Sequence, residues 1–360
     1  MDPQDCEYFC DACNDDESDV TTHQEACDAA KKDAWDPAPA PMSSPASSGA
    51  DTKTTAESDG DTDDMLSCIS TASDFGTGTP LEISRLLGEM KARCIKNPVW
   101  DGSLGKAVVH DLTKHKNNAR VCMYGGWIVV HLASSAANKL RLGNELGACE
   151  AVMGALATHA TQPWVTLHLL RAVCALAPNH TKRLLGLGVV EAVVRALKSH
   201  AHNAHVCETA CHAVAVLAAT DATVTAFVEE GACARVVNAL AVHATTSPAT
   251  CKRACEALDR LAEDVAAGPR EESLAACAAI AAALRGNSTD SEAVKACCMT
   301  VASLAACSKG IENALKASDT GVVEVLQGIA DGSRGPQPPS EGIKTKAKKA
   351  LKVLSVCVNI

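Results

Sequence analysis

The chain has 360 residues, of which only nine are aromatic (four Trp, two Tyr and three Phe) and 47% are hydrophobic. Ala, Val, Leu and Cys dominate the hydrophobic share, a mixture that favours closely packed helices over a β-sandwich, which needs aromatic and β-branched strands. No apolar run reaches the roughly 18 residues of a membrane-spanning helix, so we expect a soluble protein with no membrane partner.

The net charge of −10 combines two parts of opposite sign. Residues 1–80 hold 19 Asp and Glu against 3 Lys, whereas the remainder holds 24 acidic and 30 basic residues. An acidic segment ahead of a mildly basic body is either a solvating arm or an electrostatic cover that folds back on the body. Charge alone leaves both hypotheses open.

Residues 1–33 form an acidic, cysteine-rich segment. Cys10, Cys13, His23 and Cys27 are spaced Cys-x2-Cys-x9-His-x3-Cys, with the ligand types and end spacings of a small zinc finger. The middle interval is shorter than the common one of about twelve residues, and few apolar residues lie within it. Zinc at these four residues is therefore one hypothesis, and a disordered acidic tail without a cofactor is the other.

Residues 34–80 consist largely of Pro, Ala, Ser, Thr, Asp and Gly. Too few apolar residues are present to offset the entropy of ordering the chain, so we expect a disordered linker.

Cysteine usage bears on the compartment. The 19 cysteines are an odd number, and Met1 is followed by no basic and then apolar leader. We therefore expect no disulfide framework and a reducing compartment, the cytoplasm first and the nucleus as the alternative.

Helical periodicity begins at Leu81 and continues to Ile360, and one phrase recurs within it. Leu-Ala pairs close helical runs at spacings of 44, 41, 44 and 43 residues: Leu132-Ala133, Leu176-Ala177, Leu217-Ala218, Leu261-Ala262 and Leu304-Ala305. A second set, the histidine column, recurs in register with these pairs: His115, His159, His200, His243 and Asn287. A period of 40–47 residues with two or three helices per unit indicates an α-solenoid.

Residues 188–231 illustrate one unit. GVVEAVVRALKSH predicts an amphipathic helix, AHVCETACHAVAVLA a longer and almost wholly apolar helix, and TDATVTAFVEEG a short helix. Gly147, Gly188 and Gly231 occupy the same place in successive units, where we expect a sharp turn that needs the backbone freedom of glycine.

This three-helix unit resembles the armadillo repeat, which has a turn glycine, a second helix of apolar pairs and a third helix that ends in Leu-Ala. The resemblance covers residues 81–360, with five clear repeats between divergent terminal caps. It implies an all-α fold, a right-handed α-solenoid of armadillo-like three-helix repeats. Residues 81–96 are expected to form an N-terminal capping helix and residues 343–360 a closing helix.

Cys207 and Cys211 lie four residues apart between two histidines, a spacing that suits a metal site, a redox pair or plain packing. Aligning the third helices gives two cysteine columns. The first holds Cys122, Thr166, Cys207, Cys251 and Val294, and the second holds Gly126, Leu170, Cys211, Cys255 and Cys298. Positions that accept Gly, Leu, Thr and Val require small or apolar bulk, so we predict that these cysteines pack in the core.

For the histidine column we predict a structural role at helix C-termini, where the helix dipole favours a residue that can carry positive charge. The alternative is a ladder of metal ligands. It is disfavoured because neighbouring helices lie about 8–10 Å apart, whereas zinc–nitrogen bonds are about 2 Å long. No P-loop, Gly-x-Ser-x-Gly or His-Glu-x-x-His motif occurs in the sequence, so we expect no enzyme.

Armadillo solenoids typically bind extended peptides or protein surfaces in the concave groove lined by their third helices, and peptide-binding members carry Trp-x-x-x-Asn there. Here only the first repeat keeps the tryptophan, and histidine replaces its asparagine. The resemblance therefore implies a groove without a regular asparagine ladder. Trp and Arg are enriched at binding hot spots. The expected partner-binding residues are Trp127, His131, Arg171, His212, Lys252, Arg253, Glu256 and Arg260.

The leading hypothesis is a non-enzymatic protein–protein interaction scaffold whose partner is a protein or an extended peptide, not a small molecule. The acidic arm would compete for the Arg-lined part of the groove. Nucleic acid is disfavoured by the acidity of the chain and by the lack of interleaved aromatic residues. The alternative hypothesis is a zinc-dependent regulatory or nucleic-acid-associated factor that acts through the N-terminal Cys/His segment and the terminal lysines Lys344, Lys346, Lys348, Lys349 and Lys352.

Overall fold

The computed structural model describes residues 102–316, 321–333 and 340–354. Every regular element in this part of the chain is an α-helix, which confirms the predicted all-α class. None of the helices described there combines the length and the apolar character needed to cross a membrane. The predictions for residues 1–33, for residues 34–80 and for a capping helix at 81–96 fall outside the described residues.

The described residues form sixteen helices in which one order recurs, with a first helix, a long apolar helix and a short one. They are α1 (Gly102–Lys114), α2 (Ala119–Leu132), α3 (Ala136–Asn144), α4 (Ala148–Thr158), α5 (Pro163–Gly186), α6 (Val189–Ser199), α7 (Ala204–Leu217), α8 (Asp221–Glu229), α9 (Ala232–Val242), α10 (Pro248–Arg260), α11 (Ala262–Ala267), α12 (Arg270–Gly286), α13 (Ser291–Cys307), α14 (Lys309–Lys316), α15 (Val322–Ala330) and α16 (Glu341–Val353). A kink at His180, two residues after Pro178, divides α5. The part of α5 after the kink, which ends at Gly186, occupies the position that the separate short helix has in the other units.

Two series of helices pack side by side along the chain. The first-series helices are α1, α4, α6, α9, α12 and α15, and the second-series helices are α2, α5, α7, α10, α13 and α16. Each helix contacts the next member of its own series, and the two series contact each other within every unit. Each unit therefore buries its apolar faces against the units on either side, as a repeat fold requires.

Polar residues set the starts of the second-series helices. The side chains of Asn118, Asn203 and Asp290 each accept a hydrogen bond from the backbone N–H three residues further on, at 3.1, 3.1 and 2.7 Å. Such caps satisfy N–H groups that a helix leaves without an internal partner. In α5 and α10, Pro163 and Pro248 occupy the first turn, where proline costs no hydrogen bond.

Left-handed glycines connect the short helices to the first-series helices, as predicted. Gly147, Gly188 and Gly231 have φ values of 74°, 75° and 76°, and Gly321 before α15 has 68°. Side chains rarely tolerate this conformation, which explains why glycine recurs at this place. The unit that contains α12 departs from the pattern, since its turn uses Gly268 in an extended conformation.

The two cysteine columns lie in the core, as predicted. Cys207 and Cys211 are fully buried, as are Cys251 and Cys255. The first column also has a role that size alone did not predict. The Cys207 and Cys251 thiols donate 3.3 Å hydrogen bonds to carbonyl groups of the histidine column in their own units, and the Thr166 hydroxyl does the same at 3.1 Å. These carbonyls, at the ends of the first-series helices, already accept backbone N–H groups, so each thiol or hydroxyl adds a further hydrogen bond there.

The histidine column joins each unit to the one before it. The Nε2 atoms of His159, His200 and His243 lie 2.7, 2.8 and 3.0 Å from backbone carbonyl oxygens one unit earlier. Those carbonyls belong to the residues that directly follow the preceding column members: Lys116, Ala160 and Ala201. Because a carbonyl only accepts, Nε2–H is the donor in each contact.

Asn287 continues the same contact with a shorter side chain. Its Nδ2 donates to the Ala244 carbonyl at 2.6 Å. The preceding residue, Gly286, allows the close approach, since a Cβ there would lie 2.6 Å from that same carbonyl oxygen. Because the backbones at Gly286 and Ala244 lie close together, the shorter asparagine side chain still reaches the carbonyl oxygen.

The predicted location of the histidine column at helix C-termini is confirmed, because four of its members are C-cap residues. The structure adds a reason that the sequence did not predict, the hydrogen bond that these side chains donate to the preceding unit. These side chains are buried, and burial lowers the pKa of His243 below its ordinary value of 6.5. A buried side-chain donor that reaches a carbonyl of the preceding unit accounts for the column.

Asp111 of α1 is the exception in the core. It stands four residues before His115, where the later units carry Ala155, Ala196, Ala239 and Ala283. Its side chain is 1% exposed, and no donor in the described part of the chain reaches either carboxylate oxygen. Burial raises its pKa from 3.8 to about 6, against the opposing effect of Lys114.

The first prediction concerns His200. We expect His200→Ala to lower the free energy of unfolding by about 2–4 kcal/mol, because it leaves the Ala160 carbonyl unsatisfied and opens a cavity. The exposed His202→Ala is the control and should change that free energy by less than about 0.5 kcal/mol. Urea unfolding measures both. Equal effects of the two substitutions would contradict a structural role for the column.

The second prediction concerns Asp111. Its raised pKa means that the folded state keeps the proton that the unfolded state loses, so its penalty is complete above pH 6 and absent near pH 4. We expect Asp111→Asn to raise the free energy of unfolding by about 2 kcal/mol at pH 8, with a gain that disappears towards pH 4. Thermal or urea unfolding across this pH range measures the gain. The exposed Glu230→Gln should give no such pH-dependent gain.

Candidate functional site

A cavity of about 470 Å³ opens on the second-series helices, between α7, α10 and α13. The middle helix, α10, packs against both of the others. It begins at Pro248, where the Ser247 hydroxyl accepts a 3.2 Å hydrogen bond from the Thr250 N–H. The cap and the proline fix where the helix starts and therefore which of its residues face the cavity.

Charged residues recur along one face of α10. Lys252, Arg253, Glu256, Asp259 and Arg260 all line the cavity. Their spacing of one, three, three and one residues keeps them on one side of the helix. The opposite side packs in the core through Cys251, Ala254 and Leu258, all fully buried.

Four of these residues are held by ion pairs or hydrogen bonds. Arg253 Nη1 lies 2.8 Å from Glu256 Oε2, and Lys252 Nζ lies 3.1 Å from Glu292 Oε2 on α13. The Ser303 hydroxyl of α13 donates to the Asp259 carboxylate. The last two contacts join residues of neighbouring units and thus tie α10 to α13.

Glu292 connects two cations of the cavity. Besides Lys252, it lies 3.7 Å from Lys295 Nζ, one helical turn further along α13. The hydrogen bond and charge of Lys252 lower the pKa of Glu292, with a smaller contribution from Lys295. This carboxylate is therefore ionised at neutral pH.

His212 of α7 lines the same cavity. Burial lowers its pKa below 6.5, and the positive charges of Arg253 and Lys252 lower it further, against an opposing effect of Glu256. The imidazole is therefore neutral at pH 7 and provides hydrogen-bonding groups but no charge.

Glu208 is a charged residue that sequence reasoning missed. It lies one helical turn before His212, and burial raises its pKa while Arg171, Arg253 and Lys252 lower it. Glu208 therefore interacts with cations of both neighbouring units and connects Arg171 of α5 to the charged network. Its place, one turn ahead of a predicted groove residue on the same helix, was the signal available in the sequence.

The cavity also has apolar lining. Met299 of α13 is 47% exposed, although it is one of the larger hydrophobic side chains in the described part of the chain. Val216 of α7 and Ala296 of α13 line the cavity with it. Met299 follows His212 and Glu256 at the repeat spacing, at 44 and then 43 residues, but it is not among the groove residues predicted from the sequence.

Five of the eight predicted groove residues thus line one cavity: His212, Lys252, Arg253, Glu256 and Arg260. Trp127 and His131 lie elsewhere, on α2, with ring centroids 3.7 Å apart and planes tilted by 43°. Trp127 is 8% exposed, so most of its surface already packs against the protein. The structure does not bring this pair together with the charged residues of α10.

The thiols near the cavity are not suited to nucleophilic chemistry. Cys255 and Cys297 are fully buried, with sulfurs 3.5 Å apart. Burial raises the pKa of Cys251 to about 12, and a hydrogen bond with Cys255 together with burial raises the pKa of Cys297. Cys251 and Cys297 therefore stay protonated at neutral pH, and a protonated thiol is a poor nucleophile and metal ligand.

No group of three or more His, Cys, Asp or Glu residues within residues 102–316, 321–333 and 340–354 could hold a metal ion. The four predicted zinc ligands, Cys10, Cys13, His23 and Cys27, belong to the part of the chain that is not described. That hypothesis remains a prediction.

Comparisons with known proteins give similarity of fold. No protein-family model matches the chain, and no curated protein matches it. The crystal structure of one engineered protein is 23% identical, with a TM-score of 0.55, over 70% of this chain and 96% of that one. A second engineered protein is 21% identical, with a TM-score of 0.57, over 80% of this chain and 68% of that one.

A third structure comes from work on a phosphorylation switch in the interaction between cadherin and β-catenin. It is 11% identical over 81% of this chain and 60% of that one, with a TM-score of 0.41. A likeness this weak carries no argument. The two engineered proteins support a related helical fold and say nothing about function.

The third prediction tests the chemical state of the thiols. Cys307 at the end of α13 is exposed, whereas Cys251 and Cys255 are buried. We expect iodoacetamide at pH 8 to modify Cys307 of the native protein at least about ten times faster than either buried thiol, since alkylation needs an accessible thiolate. Peptide mass spectrometry measures the rates. The difference should vanish in urea, and comparable native rates would contradict the assignment of these thiols to the core.

Proposed function

We propose that this protein is a non-enzymatic scaffold that binds an extended segment of a partner protein along its second-series helices. The binding site is centred on the cavity between α7, α10 and α13. The observation that carries the proposal is the convergence of charged residues from separate units in one cavity of about 470 Å³. A row of parallel helices offers an elongated surface, which suits an extended chain.

The lining favours a protein segment over other ligands. Small-molecule sites are mostly apolar, with a few polar groups, whereas charged side chains dominate the lining contributed by α10. Nucleic acid would bring its phosphates close to Glu256, Asp259 and Glu292, and the repulsion would oppose binding. A protein segment can present both charged and apolar side chains to such a surface.

The proposal includes the type of repeat and the location of the protein. We infer a right-handed solenoid of armadillo-like repeats from the spacing of 41 to 44 residues between Leu-Ala pairs and from the turn glycines. We infer the cytoplasm or the nucleus from the cysteine-rich composition with its odd cysteine count.

The fourth prediction tests cavity binding without assuming the chemistry of the ligand. Peptides of about twelve residues are selected from a random phage-displayed library on the immobilised full-length protein. We expect Ala215→Trp, which fills the cavity from α7, to weaken binding of the selected peptides at least about ten-fold, as measured by fluorescence anisotropy.

The matched control is Ala234→Trp on α9, an exposed position of a first-series helix that does not line the cavity. It should leave the affinity unchanged. Peptides that bind all three proteins equally would place the binding surface elsewhere and overturn the proposed site. Circular dichroism of each variant checks that the helices are retained.

A further inference from the structure

One cation of the cavity has no partner among the residues that the structure describes. Arg260 lies in the last turn of α10, is exposed and lines the cavity. Its neighbour Asp259 is already engaged by Ser303 of α13. The Arg260 guanidinium is therefore free to bind a group from outside.

The carboxylates of the cavity are all engaged. Glu256 pairs with Arg253, Glu292 pairs with both Lys252 and Lys295, and Asp259 accepts from Ser303. The lining thus holds four cations and three carboxylates, because His212 is neutral at pH 7. Arg260 is the one cation of this lining without a carboxylate partner among the described residues, since the other three are paired with Glu256 or Glu292.

Apolar surface accompanies this charge. Met299 is 47% exposed, and Val216 lines the cavity on the α7 side. Methionine is flexible and adapts to aliphatic side chains of different shape. Covering this surface would remove apolar area from water and favour binding.

We propose that the partner segment is an extended peptide with an Asp or Glu side chain that pairs with Arg260 and an aliphatic side chain that packs on Met299 and Val216. This inference rests on the proposed function and specifies the chemistry of the partner. A carboxylate matches the two-pronged geometry of a guanidinium. In an extended chain, residues two apart face the same side, so the aliphatic residue follows or precedes the acid by two positions.

The experiment uses an array of peptides of about twelve residues with two fixed central positions, two residues apart. The first fixed position is Asp, Asn or Lys, the second is Leu or Ser, and the remaining positions are mixtures. We expect the full-length protein to be retained at least about ten-fold more on the Asp/Leu peptides than on the Lys/Leu peptides, with Asn/Leu between them.

Two cavity variants test the acidic contact at Arg260 and the aliphatic contact at Met299 separately. Arg260→Glu should reverse the preference, so that Lys/Leu peptides retain more protein than Asp/Leu peptides. Met299→Ser should keep the preference for Asp over Lys but lose the preference for Leu over Ser. Arg235→Glu, the same charge reversal at an exposed position of α9, should behave like the wild type.

Other outcomes overturn the inference in distinguishable ways. Equal retention on Asp, Asn and Lys peptides overturns it, and the proposed function survives if Ala215→Trp still blocks the library-selected peptides. The acidic sequence DTDDMLSCIS at residues 61–70 carries the same chemistry. If Asp peptides bind only after Asp61, Asp63 and Asp64 are changed to Asn, the occupant is this segment, and a separate partner is overturned.

Discussion

The hydrogen bond that His159, His200, His243 or Asn287 donates to the preceding unit is the contact on which the rest of the structure depends. It lies at the end of a first-series helix, is buried, and joins a side chain to a backbone carbonyl about forty residues earlier. A hydrophobic interface of small side chains tolerates sliding, but a buried donor and acceptor must meet or lose a hydrogen bond. The column therefore fixes the position of each unit on its neighbour. The Cys and Thr donors of the first cysteine column add a second bond at the same helix end.

This fixed position makes a shared surface possible. Lys252 meets Glu292, and Ser303 meets Asp259, only because α10 and α13 are held at one offset. A displacement of one residue would rotate these side chains by about 100° around their helices and separate the pairs. The charged surface thus depends on buried contacts in which no charged side chain takes part. In this arrangement the buried contacts determine how α10 and α13 lie against each other, and the exposed residues provide the charged groups of the cavity.

Helix α10 combines a buried side that packs in the core with an exposed side that carries the charged residues. Its buried side consists of Cys, Ala and Leu, which bring neighbouring helices close together, and its other side carries five charged residues. Small side chains in the core leave room for the charged side chains of adjacent helices to approach each other above it. Asp111 departs from this pattern. It places a carboxylate without a hydrogen-bond donor in the core, at a position where the later units have alanine.

The sequence by itself determined the helical class, the spacing of the units, the turn glycines and the burial of Cys207 and Cys211, because these features follow from local backbone preferences and from periodic burial. It also indicated which face of α10 is charged. The tertiary structure alone decided which charges meet. Glu208 joins cations of two units, Met299 enters the cavity, and Trp127 stays apart with His131. It also decided that the histidine column donates hydrogen bonds to the preceding unit. The physical reason is that burial and partners belong to pairs of helices distant in sequence, and no single helix specifies them.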